Sequence, residues 1–573
     1  MNNAQIAKIF ENIAELLELK GEDQFKVRAY QRAARTIDHS PLSAAQLVEE
    51  GRTRELPGIG KELAEKIREM VETNDLDFYQ RLKAEFPEGI ADIVSVPGVG
   101  PKMASRLWKE LGITTLEELE QAAEDGRIAS LPRMGQKTAE NIVKNLHADY
   151  RKDTRIPIGA VLPIAEELLA IIEGLPGIKN VTPAGSLRRF RETVGDLDII
   201  GTADDTEAVI KAFTALPQVE EIISAGPQRA SVRLQNGFQV DLRLIPHESY
   251  GSLLQHFTGS QSHNVVLREY AVKKGMSVSE YGITDVKTEV ITHFADEKSV
   301  YKHLGLQYIP PEIREGGAEI EAAERGEIPK LVELSDIRGD LHDHTNWSDG
   351  NAPIERMIEA ARAKGYEYIA ITDHSAGRGV ANGLSVERLR EQIAIIRDLN
   401  QKYKDIKVLI GSEVDIRSDG GMDFPDEVLA ELDVVIGSIH SAMGQDRDTM
   451  TRRIIKAIEN PHVDIIGHLT TRLIGSRDPV ALDEEAIFQA AAANHTVLEI
   501  NASPSRLDLK DSHIYRAREL GVMLTISTDS HMPEHLDYMR YGIAQARRGW
   551  CEDRNILNTR SLPELLEFLK GSR

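Results

Sequence analysis

Hydrophobic and polar positions follow three rhythms along this chain. Over residues 1–150 the apolar positions recur at helical spacing, as in Ile6, Ile9, Phe10, Ile13, Leu16 and Leu17, and predict an almost wholly helical region. From about 150 to 245 the pattern is mixed, with a helix over 164–172 and strands over 194–200, 229–234 and 238–244. Another mixed helix and strand segment runs to about Pro311, and residues 312–335, acidic and rich in Glu, Ala and Gly, predict a mobile linker. Beyond it, short apolar runs near 338, 369, 407, 434, 464, 497 and 523 alternate with helical patterns. That βα spacing predicts a parallel barrel, in which the C-terminal ends of the strands share one face.

The helical region contains an internal repeat. Leu56-Pro57-Gly58-Ile59-Gly60 and Val96-Pro97-Gly98-Val99-Gly100 each precede a helix, and Leu131-Pro132-Arg133-Met134-Gly135 is a degenerate third copy. Helix, tight glycine turn and helix make the helix-hairpin-helix pattern. Gly58, Gly60, Gly98 and Gly100 let backbone N–H groups approach a DNA phosphate closely, which positions a duplex without reading its sequence. A single copy is equally a plain αα-hairpin, and repetition favours the phosphate contact. Lys61 and Lys66 follow the first turn, with Arg28, Arg32 and Arg35 upstream. They form either a solvated basic face or a 5′-phosphate pocket in which Lys66 serves as a Schiff-base nucleophile.

Bulk numbers narrow the classes. A chain of 573 residues exceeds one core and implies about two to four domains. No stretch approaches the roughly 18 apolar residues of a membrane span, and no basic-then-apolar leader opens the chain, so a cytoplasmic protein is expected. The single cysteine, Cys551, excludes an internal disulfide framework and leaves His, Asp and Glu as metal ligands. A net charge of −23 argues against bulk attraction to nucleic acid. Contact with DNA then relies on local basic patches, backbone amides and bound cations.

Two constellations carry chemistry. In Gly195-Asp196-Leu197-Asp198 the two aspartates share one strand face, and Asp241 in Val240-Asp241-Leu242 can join them from a neighbouring strand. Three such carboxylates repel one another unless cations bind them, and they suit a pair of Mg²⁺ ions about 3.5–4 Å apart in phosphoryl transfer. Gly185-Ser186-Leu187-Arg188-Arg189, just upstream, has the glycine, hydroxyl and guanidinium to cradle a triphosphate. The alternative is a strand edge with scattered acids. The second constellation lies at the ends of the C-terminal strands. Asp340-Leu341-His342-Asp343-His344, Thr372-Asp373-His374, Gly411-Ser412-Glu413, Ser438-Ile439-His440, Gly467-His468, Glu499-Ile500-Asn501 and Thr528-Asp529-Ser530-His531 converge on one metal site. Arg417, Arg447, Arg472 and Arg506 are candidates for its mouth, while His462, His495, His513 and His535 read as surface or core residues.

Residues 1–315 resemble a family X DNA polymerase, related to polymerase beta. The resemblance implies that Asp196 and Asp198 bind both metals, and that Asp241 binds the catalytic one and activates the primer 3′-OH. It also implies that Gly185, Ser186 and Arg189 hold the nucleotide phosphates, that Phe257 and Gly259 face its sugar, and that Asn264 and Arg268 contact the nascent pair. Lys66 aligns with the family's lyase lysine. The sequence departs from vertebrate relatives at His256, where they carry Tyr, and at Glu62, where they carry a phosphate-binding Lys. Residues 336–570 resemble the polymerase-and-histidinol-phosphatase (PHP) domain through His342, His344, Asp349, His374, Glu413, His440, His468, Asp529 and His531. Asp349 stands where many members have His. This second resemblance implies a distorted seven-stranded barrel with up to three metal ions, Glu413 bridging, and water-driven cleavage at phosphorus.

The expected architecture is multidomain. It comprises a lyase-like helical domain (1–85), a second helix-hairpin-helix subdomain (86–150), an α+β nucleotidyltransferase palm (151–245), a nucleotide-selection thumb (246–315), a linker (316–335) and an α/β barrel (336–573). The expected activity is gap-filling synthesis in base excision repair with a 3′–5′ exonuclease, together with 3′-phosphatase, abasic-site endonuclease or lyase activity. The cofactors implied are Mg²⁺ or Mn²⁺ at the palm and Mn²⁺ or Zn²⁺ in the barrel. The partners implied are gapped or nicked DNA with its 3′ ends and dNTPs, with no membrane, and the chain acting as a monomer. Two other readings are a small-molecule phosphoesterase tethered to DNA and a non-enzymatic DNA-end scaffold.

Overall fold

The computed structural model of the protein describes residues 1, 3–38, 40, 44–56, 58–87, 89–94, 96, 99–131, 134–147, 155–377 and 379–571. The chain divides into two compact units, Met1–Thr154 and Arg155–Arg573. Among the described residues no helix is long and apolar enough to cross a membrane.

The first unit is helical. Ile6, Phe10, Ile13 and Leu17 of the helix Asn3–Lys20 share a core with Tyr30, Ile67 and Met70, while Leu19 of the same helix enters a second core with Leu107, Leu119 and Ile128. One helix therefore serves both halves. Each repeat turn closes with the same backbone bond, Ile59 N–H to Leu56 O (3.1 Å), Val99 N–H to Val96 O (2.8 Å) and Met134 N–H to Leu131 O (3.0 Å).

In the second unit a five-stranded palm sheet runs in the spatial order Ile178–Pro183, Leu197–Ala203, Gln239–Leu244, Arg229–Leu234, Val219–Ala225. The helices Ile158–Glu173 and Thr206–Thr214 cover one face through Leu197, Ile199, Val240 and Leu242. By strand alternation Asp198 and Asp241 point to the other face. The outer strands Ile178–Pro183 and Val219–Ala225 lack a buried alternation, and periodicity therefore did not predict them. Beyond the palm come the helices Tyr250–Thr258, Gln261–Lys273 and Glu297–His303 and a three-stranded antiparallel sheet.

The expected mobile linker is a correction. Glu319–Arg325 is a helix, and Ile320, Ala323, Ile328 and Leu331 join the core of Leu267 and Tyr301. The buried Glu319 accepts from Gly316 N–H (2.6 Å) and lies 2.8 Å from His263 Nδ1. Val332 then enters the barrel core. Apolar residues spaced among the acids dominate, because each buries its side chain while the neighbouring carboxylates stay in solvent.

The barrel strands Gly339–Asp343, Tyr368–Ile371, Lys407–Asp415, Val434–Ser438, Ile465–Ile466, Val497–Asn501 and Leu524–Ser527 are parallel and adjacent in chain order. Asp343 bridges Ser530, and His344 N–H donates to Ser530 O (2.7 Å), so the first and last strands meet. Both strand faces are buried, which is why the runs read as continuously apolar. The barrel is docked on the palm. Its Leu507 and Tyr541 sit in the palm core, and palm Gly159 lies so close to Pro504 that a Cβ would overlap it.

Candidate metal centres

Palm strands Leu197–Ala203 and Gln239–Leu244 are parallel neighbours, and Asp198 and Asp241 are register partners. Asp196 lies in the bend just before the first of these strands. Burial, followed by the charges of Asp196 and Asp241, pushes Asp198 up to about 7. Asp196 is raised as well, by burial first and Asp241 second. Asp241 accepts from Ser231 Oγ and from Gln239 Nε2 (3.1 Å), which draws it toward the strand Arg229–Leu234. Carboxylates that raise one another fit divalent cations, although these three, unlike the barrel ligands, do not each bring an oxygen within 4.8 Å of the others. Gly185 has φ +59°, and a Cβ there would stand 2.5 Å from Asp198 Oδ2, so only glycine admits this turn against the carboxylate.

The residues expected around the nucleotide are held by the thumb. Arg189 Nε donates to Glu315 (3.1 Å) and its Nη1 to Thr258 O (2.8 Å). Asn264 donates to His256 O (2.7 Å) and Gly259 O (3.2 Å), which ties down the turn bearing Phe257. Arg243 lies over the Phe257 ring at 4.4 Å. Arg268 approaches His256 Nδ1 at 3.5 Å. Ser186 follows Gly185 in the short helix Gly185–Arg188, beside Asp198.

In the barrel, Glu413 is the hub. Its oxygens stand 3.6 Å from His342 Nε2, 3.6 Å from His344 Nε2, 2.7 Å from His374 Nδ1, 3.2 Å from His440 Nε2 and 2.8 Å from His468 Nε2. Asp349 lies 3.4 Å from both His374 Nε2 and His531 Nε2. Asp529 Oδ1 lies 3.3 Å from His344 Nε2. Three overlapping groups have ligand atoms within 4.8 Å of one another: His344, Asp349, His374 and His531; His342, His344 and Asp529; and His374, Glu413 and His440. His342 Nε2 and both ring nitrogens of His344 are buried without a hydrogen-bond partner, as expected of ligand atoms aimed at cations. Protons otherwise balance the charge. Burial lowers His374, but Glu413 and Asp349 overturn that and push it up to about 10. His531 lies farther out, 29 % exposed beside Asp349 at 30 %, so this corner opens to solvent.

Neighbouring groups orient the ligands. His342 Nδ1 lies 2.6 Å from Glu499, whose other oxygen accepts from His468 N–H (2.7 Å) and Asn501 Nδ2 (3.1 Å). Asp415, which sequence reasoning missed, holds His440 Nδ1 at 2.6 Å. The alternation Glu413-Val414-Asp415 could have revealed it. Asp373 gathers Thr345, Ser348 and Gln392, and so shapes the loop that delivers Asp349. His468 (φ +24°) and Asp529 (φ +54°) take the left-handed backbone just past their strands, a conformation concentrated at functional sites.

Of the four candidate mouth arginines, Arg506 alone is at the centre, with Nε 3.5 Å from Asp529 Oδ2. Arg472 instead pairs with palm Glu192 (2.8 Å), Arg447 with Asp483 (2.8 Å), and Arg417 sits beside Asp419. Each has a carboxylate partner outside the cluster. His535, expected as a surface or core residue, and Tyr538, which no sequence motif marks, both line the cleft at the centre.

In the helical unit, Gly58 (φ +78°) abuts Arg32, and Gly60 and Gly100 cap the helices Lys61–Thr73 and Pro101–Leu111. Gly98 lies outside the described residues. Lys66 is mostly enclosed, its Nζ 2.5 Å from Glu62 and 4.8 Å from the centre of the Phe78 ring.

Comparison with known proteins adds independent findings. Family models match a helix-hairpin-helix domain over residues 1–76, a SAM-like helix-hairpin-helix tandem over 90–148, a DNA polymerase beta thumb over 253–315 and a PHP domain over 340–503. The chain is 41% identical over 572 residues to the DNA polymerase/3′-5′ exonuclease PolX of Bacillus subtilis, covering 100% of both chains. It is 26% identical to DNA polymerase lambda of Rattus norvegicus over 345 residues, 55% of this chain and 56% of the relative. A probable phosphatase of Thermoanaerobacter sp. is 29% identical over 247 residues, 41% of this chain and 95% of the relative.

Proposed function

Since the chain belongs to the PolX family of DNA polymerase/3′-5′ exonucleases, we propose that its palm carboxylates extend a primer at a short DNA gap while its barrel histidines and carboxylates resect the same kind of 3′ end. The protein is a family X DNA polymerase acting in gap-filling repair, with a 3′–5′ exonuclease and a PHP domain. The observation that carries the division of labour is that one folded unit holds two separate anionic centres, the Asp198–Asp241 register pair and the Glu413 hub.

At the palm, Asp196 and Asp198 would hold two divalent cations and Asp241 the one nearer the primer. Such cations neutralise phosphate charge and ease loss of the hydroxyl proton. Oxygen-only ligands favour Mg²⁺ or Mn²⁺. Gly185 and Ser186 offer a close backbone approach and a hydroxyl to the nucleotide phosphates, and Arg189 reaches them once it parts from Glu315. Asn264 keeps the Phe257–Gly259 turn in place beside the sugar, and Arg268 extends the same surface toward the nascent pair.

In the barrel the nine ligands would hold up to three ions, and mixed nitrogen and oxygen donors suit Mn²⁺ or Zn²⁺. These ions supply Lewis acidity and activated water at phosphorus. Glu413 meets ligands of all three groups and would be the carboxylate shared between ions. Arg506 neutralises the phosphate, and Glu499 and Asp415 hold His342 and His440 in the ring orientation that ligation needs. A single chain carries both ligand sets, which supports a monomer as the working unit.

Paired variants test this. Asp196→Ala/Asp198→Ala is expected to abolish nucleotide addition to a gapped primer, and His342→Ala/His344→Ala to abolish Mn²⁺-dependent resection but spare synthesis. Resection at the parental rate by the second variant would reject the barrel as the nuclease. The likeness of the barrel to a probable phosphatase supports a second reading, a small-molecule phosphoesterase. Faster turnover of histidinol phosphate than of 3′-recessed DNA would establish it.

A further inference from the structure

A cleft of about 320 Å³ opens at the barrel centre, where the ligands Asp529 and His531 line it together with Ser503, Arg506, His535 and Tyr538. Its volume lies at the small end of the roughly 300–1,000 Å³ of ligand sites, room for one nucleotide rather than a length of strand. Two features of the wall specify what kind of group it takes. The His535 and Tyr538 rings stack with centroids 4.6 Å apart and planes 21° from parallel. Arg506 Nη1 is buried without a hydrogen-bond partner, while its Nε lies 3.5 Å from Asp529 Oδ2.

The wall is preorganised. His531 N–H donates to His535 Nδ1 (3.3 Å), so the ring pair is tied to a metal ligand. Tyr538 packs against the barrel and palm cores and meets Tyr541 edge-on at 6.1 Å. The loop carrying Ser503 and Arg506, which also lines the cleft, is braced by Pro504 against Gly159 and by Leu507 in the palm core. A phosphoryl group drawn to the centre would satisfy Arg506, and whatever that phosphate carries would meet the rings. A stacked aromatic wall does little for a polar chain, but it matches the flat π-face of a nucleobase.

We propose that His535 and Tyr538 form a platform for the base of the 3′-terminal nucleotide, which makes the barrel's substrate a nucleotide unit at a strand end rather than phosphomonoesters in general. The proposal rests on the exonuclease reading above. Stacking tolerates every base, as an enzyme that removes any terminal nucleotide requires. It also predicts that a terminus without a base binds poorly.

The test uses the full-length enzyme with Mn²⁺ and two 3′-recessed duplexes, identical except that one ends in an ordinary nucleotide and the other in a tetrahydrofuran abasic residue. The wild-type KM is expected to be on the order of ten-fold higher for the abasic end, with kcat changing less, because stacking supplies binding rather than chemistry. In His535→Leu and Tyr538→Leu the ratio of the two KM values falls toward one, whereas Tyr538→Phe, which keeps the ring, retains it. Equal KM values for the two ends in the wild type would overturn the platform without any variant, and so would a ratio that survives both leucine substitutions. A wild-type enzyme that resects neither duplex yet hydrolyses a small phosphomonoester would overturn the exonuclease reading itself, and the platform with it.

Discussion

Arg548 of the barrel donates from Nη1 to Glu315 Oε1 across 2.9 Å, to the same oxygen that accepts from Arg189 Nε at 3.1 Å. One carboxylate thus joins a barrel cation to the arginine expected at the nucleotide phosphates. The Arg548 side chain is 2 % exposed and also grips Asp511 (2.5 Å) and the carbonyl of Arg189 (2.8 Å).

Removing that cation leaves Glu315 and Asp511 short of a partner inside the docked surfaces. Arg548→Met is expected to destabilise the second unit by about 3–5 kcal/mol, the usual loss when a buried pair is broken from one side. It should appear as an earlier urea midpoint, and Arg548→Met/Asp511→Leu should recover part of the loss. A parental midpoint in Arg548→Met would show that the junction carries no such load.

The raised Asp198 carries a pH signature. Its folded value of about 7 exceeds the ordinary 3.8, so between those values the folded state binds more protons than the unfolded state and stability falls as pH rises. The penalty is absent below about pH 4 and full above about pH 7, at roughly 4 kcal/mol for a shift of this size. Asp198→Asn should therefore raise the melting temperature in EDTA at pH 8 but not at pH 4, while abolishing synthesis. An equal effect at both pH values would assign the stabilisation to something other than charge.

Glu499 lies 2.6 Å from His342 Nδ1, and a proton held there would keep Nε2 available to a metal ion. Glu499→Gln is expected to weaken Mn²⁺ activation of resection by about 10–100-fold with synthesis intact. An unchanged Mn²⁺ titration would rule out the orienting role.

In the helical unit, a Schiff base needs a free amine, and Lys66 is held by Glu62 at 2.5 Å and by the Phe78 ring. Borohydride trapping on 5′-incised abasic DNA is expected to be weak in the wild type and several-fold stronger in Glu62→Ala. Strong wild-type trapping through Lys66 would show that the pair opens readily.

Local pattern determined a large part of this protein. Seven barrel strands were legible because both faces are buried and each run stops at a polar end, and helical spacing in the first unit reports one buried stripe per helix. Asp198 was legible for the same reason, whereas Asp196, expected on the same strand, lies in the bend just before it. Tertiary structure alone decided the remainder. The strand Val219–Ala225 exists by pairing with Arg229–Leu234, not by its own periodicity. The acidic stretch after Glu315 folds because Leu267 and Tyr301 receive Ile320 and Leu331. Arg472 turns to Glu192, and His535 finds Tyr538 beside the ligands. Repeating apolar positions record which face a segment buries. Which charge meets which countercharge depends on residues up to hundreds of positions apart that only the folded packing brings within a few ångströms.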